Sequence, residues 1–156
     1  MLQHEEKLAL SRIRLDNAFD CLNLSKKLID MNEYKASANR SYYAVFYAMR
    51  AVLAFDGIDM KKHSGVISEF RRLYIKTGIF DDKLSKMITN LFSIRQKSDY
   101  NDFYIISKEQ VLEQYENARL FIDTINCFLK VLYDYLKKQK VENFDYAEWC
   151  KTYKSC

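Results

Sequence analysis

Proline is absent from these 156 residues, and glycine occurs only three times. Both residues punctuate sheets and tight turns, so their scarcity excludes a strand-rich fold and leaves few, long helices. Cysteine is sparse and scattered: Cys21, Cys127, Cys150 and Cys156 form no CxxC pair. That spacing argues against both a zinc site and a disulfide framework. Histidine occurs twice, at His4 and His63. No apolar run approaches the roughly 20 residues of a membrane-spanning helix. The opening Met1-Leu2-Gln3-His4-Glu5-Glu6-Lys7 shows no basic-then-apolar leader. The expectations are therefore no metal, no cofactor, no membrane, and a cytoplasmic protein with reduced thiols. The net charge of +4 is too mild to demand a polyanionic partner by itself.

What is present describes an all-α scaffold. A chain of this length forms one domain and buries roughly two-thirds of its unfolded surface. Twelve tyrosines and ten phenylalanines suit aromatic packing between helices. Apolar spacing predicts a first helix over about Gln3–Asp30 and a second over Glu33–Phe55, ending at Asp56-Gly57. The second is apolar nearly all round after Tyr42, and Ala36, Ala38, Ala44, Ala48, Ala51 and Ala54 allow close neighbours; it reads as the central helix. A third helix is expected from His63 or Ser64 to Thr77, closed by Gly78, and a fourth from Asp81 to Lys97. Ser98 to Asp102 reads as a turn. Ser107-Lys108-Glu109-Gln110 is a capping box opening a last long helix to about Gln139. The resulting organisation is an antiparallel up-and-down bundle of four to five helices over 1–139. An aromatic, charged tail over 140–156 follows, a candidate for a short docked helix.

Three polar clusters interrupt these core-like helices, where polar groups cost stability unless they serve a purpose. They are Asn39-Arg40-Ser41-Tyr42-Tyr43, Lys61-Lys62-His63-Ser64-Gly65 and Arg95-Gln96-Lys97-Ser98-Asp99-Tyr100. Between Lys61 and Lys76, five cations (Lys61, Lys62, Arg71, Arg72, Lys76) face Glu69 alone, which fits either a solvated face or an anion-binding one. His63 falls at a helix N-terminus after two lysines, an anion-favouring place that also lowers an imidazole pKa. Arg95 and Asp99, four apart, suit an ion pair, while a guanidinium also matches phosphate. Asn39, Arg40, Tyr43 and Asp99 suit a structural polar network in which Arg40 reaches Asp99.

The stretch Asn39 to Leu53, followed by Lys62-His63-Ser64-Gly65-Val66-Ile67 and by Arg95-x3-Asp99-Tyr100, resembles the HEPN domain family (higher eukaryotes and prokaryotes nucleotide-binding). The likeness is to its small stand-alone prokaryotic branch and covers about Leu8 to Leu136. It implies a helical bundle, usually a homodimer whose helix ends meet across the two-fold axis. It also implies a range of functions: metal-independent endoribonucleases in toxin–antitoxin or defence systems, and inactive RNA- or nucleotide-binding relatives beside a minimal nucleotidyltransferase. The family's catalytic pattern, arginine then four to six residues then histidine, is broken here. After Arg95 those places hold Tyr100, Asn101 and Asp102. The first expectation is thus a non-catalytic dimer presenting Lys61, Lys62, His63, Arg71 and Arg95 to RNA or a nucleotide, with a nucleotidyltransferase-like partner. The alternatives are a rearranged endoribonuclease using His63, Arg95 and Tyr100, and a purely structural partner protein.

Overall fold

The structure, a computed structural model, describes residues 4–138 and 144–154. The expected helix limits at Gln3 and Gln139, the start of the tail and Cys156 lie outside the described residues. Six helices follow in order: α1 (His4–Asp30), α2 (Tyr34–Leu53), α3 (His63–Phe70), α4 (Asp82–Tyr100), α5 (Lys108–Lys138) and α6 (Tyr146–Thr152). No strand occurs among the described residues, and the chain is an all-α helical bundle.

Each boundary has a local cause. Asn32, at φ 59°, ends α1 in the left-handed conformation. The amides of Asn32 and Glu33 return to the carbonyls of Ile29 and Leu28, satisfying helix-end acceptors. The short connection that results folds α2 back along α1. Gly57, at φ 69°, closes the 3₁₀ turn Ala54–Asp56 that extends α2. The capping box forms as expected: Gln110 N–H donates to Ser107 Oγ at 3.1 Å, and Ser107 N–H donates to Gln110 Oε1 at 3.0 Å.

Helix α2 is the centre. Ala44, Ala48 and Ala51 are fully buried, and Tyr42, Val45 and Met49 fill the space beside them. The α1–α2 seam also carries buried hydroxyls: Ser25 Oγ lies 2.9 Å from Ser37 Oγ and 2.7 Å from Ser41 Oγ. Their mutual hydrogen bonding satisfies groups that would otherwise be costly to bury. Phe121, Ile122, Ile125, Phe128, Leu129 and Leu132 form the buried stripe of α5.

Three elements differ from the sequence reading. Helix α4 runs on to Tyr100 rather than stopping at Lys97. Ser98 is buried and Arg95 pairs with Asp99 one turn on, so the last turn has both packing and charge to hold it. The turn starts later, where Asn101 Oδ1 accepts from Phe103 N–H at 3.0 Å. Helix α3 gives way after Phe70 to a π turn, Arg71–Ile75. Cys127 is disulfide-bonded, against the expectation of reduced thiols throughout, while Cys21 and Cys150 are free. No helix among the described residues is long and apolar enough to cross a membrane.

Candidate functional site

Helices α2, α3 and α4 bring two of the three polar clusters face to face with the third. His63 opens α3 and is half-buried. Its ring stacks on Phe46 with centroids 4.1 Å apart, lies parallel to Tyr42 at 5.6 Å and meets Tyr43 edge-on at 5.5 Å. Its Nδ1 lies 2.8 Å from Tyr42 Oη. Tyr42 is buried, and burial pushes its phenol up to about 12, so it keeps its proton. Among the described residues that proton has His63 Nδ1 as its acceptor. A neutral His63 accepting it carries its own hydrogen on Nε2, which makes the outward nitrogen a donor rather than a base. Burial lowers the His63 pKa, and the positive charges of Arg95 and then Arg50 lower it further.

The direction of that hydrogen bond is testable. Replacing Tyr42 by phenylalanine removes a donor that favours neutral imidazole, so the His63 pKa should rise by roughly 0.5–1 unit. An NMR titration of the imidazole reads this directly. A fall instead would mean that Nδ1 donates and that Nε2 is free to act as a base.

Arg95 crosses the same ring cluster from α4. Its guanidinium carbon sits 5.2 Å from the Tyr42 ring centre, 5.6 Å from Tyr43 and 5.8 Å from Tyr100. Arg95 Nε approaches Asp99 Oδ2 to 2.9 Å. The N–H does not point along that line, because Nε is buried without a hydrogen-bond acceptor. The pair is therefore held by charge rather than by an aligned hydrogen bond. Asp99 Oδ2 also accepts from Asn39 Nδ2 at 3.2 Å, and Asn39 Oδ1 accepts from Arg40 Nη2 at 2.8 Å. Arg40 thus connects to Asp99 through Asn39, while its guanidinium covers Tyr43 at 4.9 Å. Tyr100 itself is 73% exposed.

Three residues that the sequence reading did not assign to the site complete its rim. Arg14 Nη2 and Arg50 Nη2 lie 2.7 Å and 2.8 Å from the same oxygen, Asp59 Oδ1. These two guanidinium groups hold the Asp59 carboxyl below its ordinary range, Arg50 foremost through its hydrogen bond. Two cations sharing one exposed carboxylate leave positive charge beside His63, and Arg50 Nε is buried without an acceptor. The available signal was Arg14: it falls on the apolar stripe Ser11–Arg14–Ala18–Cys21, where a buried arginine needs a partner. Lys61 and Lys62 are exposed on the loop entering α3. Arg71 stands apart, its guanidinium donating to Ser85 Oγ at 2.9 Å and Thr89 Oγ1 at 2.6 Å, so it ties the π turn to α4.

A family model for the HEPN domain matches residues 11–128, which span every side chain of this site from Arg14 to Tyr100. The chain belongs to the HEPN domain family. Among curated proteins, this HEPN chain is similar to a Thermotoga maritima protein named "UPF0332 protein", 33% identical over 115 residues, 74% of this chain and 87% of the relative. It is also similar to two Methanocaldococcus jannaschii proteins, each named "Putative toxin". One is 32% identical over 126 residues, 81% of this chain and 90% of the relative. The other is 30% identical over 115 residues, 74% and 78% respectively.

Proposed function

We propose that this HEPN protein is a homodimer that binds RNA or a nucleotide at the His63–Arg95 face without cutting it. It would serve as a regulatory component of a toxin–antitoxin or defence-type system, partner of a minimal nucleotidyltransferase-like protein. The observation that carries the reading is the occupancy of the two residues cleavage would need. His63 Nδ1 faces a phenol that keeps its proton, and Arg95 is held by Asp99 over three tyrosine rings. Metal-free cleavage of RNA needs a base at the 2′-hydroxyl, an acid for the leaving oxygen and a cation for the phosphate; with Nδ1 taken by Tyr42 and Nε2 protonated, His63 supplies no base. This face instead combines donors and rings: His63 Nε2–H, the guanidinium groups, Lys61 and Lys62 for phosphate, and Tyr43 and Tyr100 for stacking. The toxin names of two relatives support the setting. The dimer is supported by apolar side chains left open past α4, with Phe103 94% and Ile105 88% exposed.

The test is RNA affinity as a function of salt. Three or four phosphate contacts predict a slope of log K against log salt of about −2 to −3 for single strands. No measurable RNA affinity at low salt would remove the reading. The competing endoribonuclease is favoured by one observation, the approach of the Tyr100 ring to Arg95, and differs by predicting cleavage.

A further inference from the structure

A second polar cluster shares no residue with the His63–Arg95 face. Between the π turn and α6 lies a cavity of 600 Å³, lined among others by Asp56, Leu73, Tyr74, Tyr146, Cys150 and Tyr153. That is the size range of small-molecule sites, about 300–1,000 Å³. Its walls are mostly rings and aliphatic groups, and π turns recur beside functional sites. The HEPN match ends at residue 128, whereas α6 begins at Tyr146. The cavity is therefore closed by a segment that lies beyond the family core.

One carboxyl group, Asp56, opens into this space. Tyr74 Oη donates to Asp56 Oδ2 at 2.6 Å, and the hydroxyls of Tyr74 and Tyr146 are hydrogen-bonded to each other. A phenol has one proton, so with Tyr74 spent on the carboxylate, Tyr146 donates to Tyr74. The hydrogen bonds given to Asp56 by the described residues all reach Oδ2, which leaves Oδ1 for a ligand. No cation among the described residues closes an ion pair on Asp56. Lys7 of α1 and Arg72 of the π turn act on it through space, and Arg72 is already paired with Glu69.

Burial pushes the Asp56 carboxyl up to about 6, against the Tyr74 hydrogen bond and the positive charges of Lys7 and Arg72, with Glu69 raising it further. Burial also raises both phenols and brings the Cys150 thiol up to about 11, so these three stay protonated at neutral pH. Lys151 also lines the cavity, but its ammonium is paired with Glu148 at 2.8 Å rather than with Asp56. The cavity thus holds one carboxylate with no ion-pair partner among the described residues, framed by aromatic faces. An ammonium group on an apolar body satisfies both features at once, by a charge-assisted hydrogen bond and by cation–π contact.

We propose that this cavity binds a small organic amine, its ammonium on Asp56 Oδ1 and its apolar part against Leu73, Tyr146 and Tyr153. The proposal is independent of the RNA reading. Trp149 is the only tryptophan of the chain and packs against Tyr146 and Tyr153, which line the cavity, so its emission is a reporter of occupancy. The probe is benzylamine, titrated near about pH 7.5 with calorimetry alongside, and compared with benzyl alcohol and benzoate. Benzylamine should bind saturably, and benzoate should not. The isosteric change Asp56→Asn should weaken benzylamine binding at least tenfold while the variant stays folded. Ala147→Phe, at a lining position, should block binding without altering charge. Binding should also weaken as the pH falls through about 6, because the carboxyl then takes up a proton while the amine keeps its own. Absence of saturable benzylamine binding, or equal affinity in wild type and Asp56→Asn, would overturn the proposal.

Discussion

Phe128→Ala is expected to destabilise the protein by about 3–5 kcal/mol, the cost of emptying a fully buried aromatic site. Phe128 is fully buried on α5 and is the point where three elements meet. Its ring contacts Phe80 after the π turn at 5.2 Å, Trp149 on α6 at 5.3 Å and Tyr153 beyond α6 at 4.8 Å. These are edge-to-face arrangements, each worth about 0.5–1.5 kcal/mol beyond area burial. The neighbours sit on separate stretches, the turn before α4, α6 and the segment after it, so none can close the gap without moving its own backbone. For a chain of this size the melting temperature should drop by roughly 6–20 °C. Chemical denaturation followed by far-ultraviolet circular dichroism measures it, and Trp149 emission followed alongside reports whether α6 detaches first. A loss below about 1 kcal/mol would mean that α6 does not rest on this ring.

Arg95→Ala should weaken RNA binding about 10- to 100-fold, and it should also loosen the last turn of α4, which the Arg95–Asp99 pair helps to hold. The loss has two parts. One is the phosphate contact of the guanidinium, which is charge-assisted. The other is Asp99, which keeps its place beside Asn39 but loses its cation and then repels the phosphate. The salt slope should fall by about one phosphate contact, roughly 0.7 units. Arg95→Lys keeps the charge but not the planar stack on Tyr42 and Tyr43, and should recover only part of the affinity. Fluorescence anisotropy with a labelled single strand gives both quantities. Unchanged affinity in Arg95→Ala would place the RNA elsewhere on the molecule.

The helices were legible because their signals are local. The Ser107–Gln110 box, the Asp56-Gly57 stop and the alanine-rich face of α2 each act through neighbours within a turn or two. The end of α4 was not, because its last turn depends on burial of Ser98 and on Asp99 being held by Asn39, sixty residues away. The same distance dependence governed the site. Asn39, Arg40, Tyr43, His63, Arg95 and Asp99 could be singled out as polar groups in apolar surroundings, and the structure gathers them. What no spacing rule states is that His63 stacks on Phe46 and takes a hydrogen bond from Tyr42, or that Arg14 and Arg50 share Asp59. These contacts join separate helices, and they decide whether the imidazole is a base or a donor. The Asp56–Tyr74–Tyr146 chain was equally hidden, since its members lie on three elements.

The most direct test of a binding rather than a cutting HEPN protein is incubation of the purified protein with mixed cellular RNA in excess chelator. Arg95→Ala and His63→Ala run in parallel lanes. The occupied His63 and the paired Arg95 predict intact RNA in every lane, together with salt-sensitive binding by the wild type. Chelator-resistant cleavage by the wild type that disappears in both variants would contradict it, and would make the same face a rearranged ribonuclease centre.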